Sequence, residues 1–161
     1  MTKCRIIIDG VSPRSAGISK SDLKKAAEYF AARSSARIKT PFREVSIILQ
    51  DDVTSDEAHR SIMDVAGATD VITQRYDAMP GEDEGVYGEL YVNVERAVSY
   101  CASGKNRNPA KELLLYVAHG MDHLSGADDH GDRDRLRMRR RELKWIREIR
   151  YSLTALQGVF P

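Results

Sequence analysis

Between Asn108 and Gly126 the chain carries a start, a body and a stop for one helix, and that helix is apolar enough to require burial. Asn108 can accept a bond from a first-turn amide, and Pro109 suits the first helical position, where no N–H is needed. The run Leu113-Leu-Leu-Tyr-Val-Ala118 presents apolar side chains all round, which places the helix at the centre of a fold. His119 and His123 follow at i and i+4, so their imidazoles share one face about 5–6 Å apart at Cβ. That separation suits one ion with Zn–N bonds of about 2.0–2.1 Å. Gly126 offers a place for the helix to stop, and the chain can then turn back to bring Asp129 or His130 to the same ion. Two ligands from a helix and one from the returning loop give a zinc layout with an open fourth position.

Three of the four histidines fall between His119 and His130, and His59, the fourth, reads as a satisfied polar residue on a helix surface. The 161 residues suffice for a single domain over 1–161 with a substantial core. No apolar stretch approaches the roughly 20 residues that span a bilayer, so no membrane partner is expected. The opening Met1-Thr-Lys-Cys-Arg-Ile-Ile-Ile-Asp9 is cut short by an acid and does not read as a signal peptide. Cys4 and Cys101 are too few for a disulfide framework and read as reduced, buried thiols of a cytoplasmic protein. Charge is unevenly spread. Residues 1–50 hold 10 Lys/Arg against 4 Asp/Glu, residues 51–95 hold 2 against 12, and residues 131–161 hold 9 against 4. Such runs are commonly solvated faces, yet a fold could gather the two basic ends into one patch for phosphates.

The rest of the pattern is α+β, with about four strands in a mixed sheet against about five helices and the zinc site at the end of the central one. Residues 3–8, 45–50, 69–76 and 88–93 read as strands, the last two antiparallel because their connection is short. Ser19-Lys-Ser21-Asp22 opens a helix to about residue 36. Thr54-Ser-Asp-Glu57 has the spacing of a capping box for a second helix ending near Gly67. Asn93 caps a third helix to Gly104. A last helix from about Asp132 to beyond Arg150 offers Leu136, Leu143, Ile146 and Ile149 for packing.

The histidine segment resembles the signature of the YbeY-type bacterial endoribonucleases, the rRNA maturation factors, whose pattern is H-G-x-L-H-L-x-G-Y-D-H. His119, Gly120, His123, Leu124, Gly126 and Asp128 match it in register. Upstream, Thr69-Asp70-Val71-Ile72 is similar to the family's T-D-V-L/I, and Gly88-Glu89-Leu90 stands where the family has G-D/E-I. The likeness covers about Val45 to Ile149. It implies an α+β fold with one zinc-type site, single-stranded RNA as substrate rather than DNA, and a setting in small-subunit rRNA maturation and ribosome quality control. By register the family's third metal position is Asp129, with His130 the alternative if the loop shifts by one residue; carboxylate can replace imidazole on zinc.

Other departures bear on mechanism. Ala127 replaces a tyrosine, and Asp122 replaces a leucine, where it could accept an imidazole N–H or simply face solvent. An arginine expected from the family's L-N-x-x-Y-R run falls at Met63, with Arg60 one helical turn away. Zinc could lower the pKa of a bound water, polarise a phosphoryl oxygen, or support attack by the RNA 2′-OH. A peptidase of the H-E-x-x-H kind is excluded, because Gly120 stands where the glutamate base would be. No residue declares itself the general base, although Asp122, Glu89 and Asp70 have the chemistry. Arg133, Arg135, Arg137, Arg139, Arg140 and Arg141 could steer a polyanion or form a solvated face, and Tyr76, Tyr87 and Tyr91 read as sheet residues. Two readings stand beside the nuclease: a ribosome-associated assembly factor with a structural zinc, and a hydrolase of small phosphate esters. Zinc is favoured over nickel or copper by geometry and availability.

Overall fold

The computed structural model describes residues 3–104 and 107–158, so residues 1–2, 105–106 and 159–161 of the expected 1–161 domain lie outside the described residues. Four strands are present: β1 (Arg5–Gly10), β2 (Phe42–Gln50), β3 (Val71–Tyr76) and β4 (Val86–Asn93). They form one sheet in the order β1-β2-β4-β3. β1, β2 and β4 are parallel, whereas β3 is antiparallel to β4, as its short connection requires. Five α-helices complete the α+β fold: α1 (Lys20–Ile38), α2 (Asp52–Met63), α3 (Val94–Ala102), α4 (Pro109–Leu124) and α5 (Asp132–Ile149). Alternation on β2 and β4 turns Val45, Ile47, Leu49, Leu90 and Val92 into the core shared with the helices.

α4 is the helix this core surrounds. Asn108 accepts a bond from the Lys111 amide at its start, and Leu113 through Ala118 are all buried. Each fully buried Leu or Val contributes about 1.5–3 kcal/mol relative to exposure, which resists displacement of the histidines that follow. Two glycines set how deeply α4 lies. A Cβ on Gly88 of β4 would come 2.6 Å from Leu124, and one on Gly120 of α4 would come 2.8 Å from Leu90. Leu90 and Leu124 are fully buried, so neither can move aside freely. Gly120 is therefore a packing residue, and the missing glutamate of the peptidase pattern has no room there.

Several expectations need correction. α2 is capped by Asp51, with Thr54 as the reciprocating third residue, one turn before the box expected at Thr54–Glu57. It ends at Met63 with Asp64 in the left-handed region, short of Gly67. Ser55 exchanges hydrogen bonds with the backbone of Thr69 and fixes α2 against the strand that follows. On α5 the buried stripe is Met138, Glu142, Trp145, Ile146 and Ile149, whereas Leu136 is 52% exposed and Leu143 only partly covered. α1 runs on to Ile38, α3 stops at Ala102, and β2 and β4 begin earlier than expected, at Phe42 and Val86. Both cysteines are free. Cys101 is buried, but Cys4 is half-buried, its thiol pushed up to about 12 by burial with help from Glu44 and Glu28. Among the described residues no helix is long and apolar enough to cross a membrane.

Candidate metal centre

The end of α4 is built by its own stop signal. Ser125 closes the helix, Gly126 takes φ +88°, and the Gly126 and Ala127 amides bond back to the carbonyls of His123 and Asp122. This reversal returns the chain across the last turn. It also places the Ala127 carbonyl 3.0 Å from His123 Nδ1. A carbonyl can only accept, so His123 carries its proton on Nδ1 and leaves Nε2 with a free lone pair. On the other imidazole, His119 Nδ1 lies 3.0 Å from Oε2 of Glu142, supplied by α5. In the neutral ring, donation to that carboxylate likewise leaves Nε2 of His119 free.

The two free nitrogens face each other at 3.0 Å. Two lone pairs so placed repel unless a proton or a metal ion lies between them. Asp129 completes the group, its Oδ2 3.6 Å from His119 Nε2 and 3.5 Å from His123 Nε2. For zinc bonds of about 2.0–2.1 Å, a regular tetrahedron has edges of about 3.3–3.4 Å. The three measured separations bracket that value, so these donors fit one face of a tetrahedral ion. His119, His123 and Asp129 are each partly exposed, leaving the opposite side open to a cleft.

His130 is placed differently. Its side chain is 90% exposed and lies 3.4 Å from Asp128, grouped with Asp128 and Asp129 but not with the two imidazoles. His59 donates from Nδ1 to the Gly67 carbonyl at 2.8 Å and lies outside the cluster. Arg60 is paired with Asp56 on its own helix, and Met63 is 54% exposed.

Asp122 neither orients an imidazole nor faces solvent. It is fully buried, held by Arg141 through three contacts of 2.9–3.1 Å and by Arg37 at 3.7 Å. Beside it Glu142 is also buried, and its pKa is raised, first by burial, with Asp122 adding and His119 opposing. Arg141 thus holds Asp122, and Glu142, whose pKa Asp122 raises, holds His119. The pKa of His119 is raised: burial disfavours the imidazolium, but Glu142, Asp129 and Asp70 together outweigh it.

The cleft beside His119 and Asp129 has a volume of about 540 Å³, and Asp70, Glu112, Arg135 and Arg139 stand on its walls. Of the carboxylates considered as bases, Asp70 alone lies here, and its Oδ1 accepts the Val71 amide at 2.7 Å. Glu89 accepts from the Tyr91 hydroxyl at 2.5 Å, which raises the tyrosine's pKa to about 12, and it does not line the cleft. Arg135 is tied to Asp132, whereas Arg139 is exposed and has no ion pair among the described residues. Glu112 and Glu142 escaped the sequence reading. Glu112 lies at i−7 from His119 and so shares its face, and Glu142 is the single acid within the buried stripe of α5.

Comparison with known proteins agrees with this architecture. The family model described as Endoribonuclease YbeY matches residues 12–150. A Rhodopirellula baltica protein named Endoribonuclease YbeY is 34% identical over 110 residues, 68% of this chain and 55% of that protein. One of the same name from Protochlamydia amoebophila is 29% identical over 107 residues, 66% of this chain and 71% of its own length. The matched segment thus spans little more than half of the first relative. The solution structure of TM1509 from Thermotoga maritima superposes with a TM-score of 0.58 at 25% identity, covering 89% of this chain and 88% of the other. Since the match embraces β2, β3 and β4, the central helix and all three converging donors, the chain belongs to the Endoribonuclease YbeY family.

Proposed function

We propose that this chain is a metal-dependent endoribonuclease that cleaves single-stranded RNA, with zinc held by His119, His123 and Asp129. The observation carrying this reading is the convergence of two imidazole lone pairs and a carboxylate oxygen within 3.6 Å of one another beside an open cleft. Zinc held by His119, His123 and Asp129 would supply an acidified water or a polarised phosphoryl oxygen. The remaining work falls to the protein. Glu142 and the Ala127 carbonyl hold both rings in the tautomer that presents Nε2. Arg139, exposed on the cleft wall with no ion pair among the described residues, is the cation that would meet a phosphate oxygen. Asp70 and Glu112 are the carboxylates within the cleft that can take a proton from a water or a 2′-OH. Small-subunit rRNA maturation and ribosome quality control in the cytoplasm are the setting that the family resemblance supports.

A second reading, a ribosome-associated assembly factor with a structural metal, is favoured by Met63, which removes the arginine of the family pattern. His123→Ala separates the two when metal content and cleavage of a single-stranded RNA are measured on the same samples. The nuclease reading expects one equivalent of zinc to be lost and cleavage to fall at least about 100-fold, since metal assistance is worth several kcal/mol. Zinc bound without cleavage in the wild type selects the assembly role. Retained cleavage in a zinc-free variant sinks the metal-dependent mechanism.

A further inference from the structure

The two basic ends of the chain meet on the far side of α5. Arg33 and Arg37 of α1 and Arg137, Arg140, Arg141 and Lys144 of α5 line a groove of about 560 Å³ over the buried Trp145. No acid lines it. Glu148 takes up Arg33 at 3.6 Å, and the buried Asp122 takes up Arg37 and Arg141. Arg137, Arg140 and Lys144 are exposed and make no ion pair among the described residues. Their spacing of i, i+3 and i+7 puts them on one stripe. They gain nothing from one another, because like charges this close lie within a Debye length of about 8 Å. A merely solvated helix face intersperses both signs. Here the facing helix adds more of the same sign.

α5 is thus a ridge with cations on both flanks, since Arg135 and Arg139 look into the cleft on its other side. The flanks are about 10–12 Å apart, the diameter of a helix with its side chains. We propose that the α1–α5 groove is a docking site for the sugar–phosphate backbone of single-stranded RNA, away from the bond being cut, with Arg137, Arg140 and Lys144 as its phosphate contacts. The inference rests on RNA being the substrate. Guanidinium and ammonium groups suit phosphate oxygens, and arginine can engage two at once. Trp145, the aromatic lining residue, is only 2% exposed and offers no face for stacking, so the groove holds backbone without selecting bases.

The test is binding of a fluorescein-labelled 2′-O-methyl RNA 20-mer, which resists cleavage, by the full chain between 50 and 200 mM KCl. The variant is the triple Arg137→Ala, Arg140→Ala, Lys144→Ala, checked for fold by circular dichroism. Losing three phosphate contacts should make the log–log salt slope shallower by about 2, so wild-type affinity falls about 20-fold more across that range. The same variant should cleave an RNA tetranucleotide as the wild type does and a natural-backbone 20-mer with raised KM. An unchanged slope and Kd, or an equal loss on the tetranucleotide, would overturn the proposal. Retained RNA binding with loss of poly-glutamate binding would overturn it in favour of an acidic protein partner. A slope change in a protein that cleaves neither RNA would support the groove while removing the nuclease reading. Robust wild-type cleavage with unchanged binding by the variant would do the reverse.

Discussion

The two flanks of α5 differ in how their charges are held. In the cleft every candidate ligand is fixed by something behind it: Glu142 behind His119, the Ala127 carbonyl behind His123, and the return loop carrying Asp129. In the groove the cations that matter most, Arg137, Arg140 and Lys144, are exposed and make no ion pair among the described residues. Coordination requires donors placed to a fraction of an ångström, and a supporting shell supplies that. Phosphate attraction through water and counterions has no such requirement, and mobile side chains satisfy it. Positional order should therefore be costly to disturb on one flank and nearly free on the other.

Arg141 tests that division most severely, because it lines the groove yet bonds to the carboxylate buried beneath the cleft. Its side chain is 20% exposed and that of Asp122 fully buried. Arg141→Ala strands a buried charge, which commonly costs about 3–5 kcal/mol. Arg37 remains 3.7 Å from Asp122, so the lower end is expected, about 3 kcal/mol, read as a fall in the urea midpoint of at least about 1 M. A change under about 1 kcal/mol would class Arg141 with the loose cations and break the comparison.

A smaller effect should follow from Glu142→Gln, which keeps the shape and an acceptor for His119 but removes the charge. Supporting residues of this kind typically tune metal affinity by about 10–100-fold. Since Gln can still fix the tautomer, the expected loss is about tenfold, measured by competition with a chelating dye. Unchanged affinity would show that a neutral acceptor suffices on both rings, as the Ala127 carbonyl already does for His123.

What the sequence disclosed followed from local chemistry. Asn108-Pro109, the apolar run, the histidine pair and Gly126 are contiguous signals, and they defined α4 and its reversal correctly. Asp51 and Thr54 illustrate the limit: both can cap a helix, and contacts between Ser55 and Thr69 accompany the choice one turn earlier than expected. Asp122 was beyond local reading altogether. Its partner, Arg141, comes nineteen residues later, and only the packing of α5 on α4 makes a fully buried acid tolerable. Leu136 and Met138 likewise exchanged roles because helical periodicity gives a stripe without saying which neighbour covers it. The gathering of the two basic ends needed the tertiary fold, although their composition had made it conceivable.

The smallest effect expected is on the stability of the groove variant itself. Arg137, Arg140 and Lys144 are exposed and make no ion pair among the described residues, and truncating such residues usually changes stability by no more than about 0.5 kcal/mol. The sign should be slightly favourable at low salt, because removing three like charges facing Arg33 and Arg37 relieves repulsion. The gain should fade as the Debye length shrinks from about 30 Å at 0.01 M to about 8 Å at physiological ionic strength. Urea midpoints of wild type and variant at the two salt concentrations measure it. A loss above about 1 kcal/mol would mean that the aliphatic stems of these side chains hold α1 against α5. The groove would then be a packing seam with charged ends, as fixed as the cleft, and the contrast between the flanks would disappear.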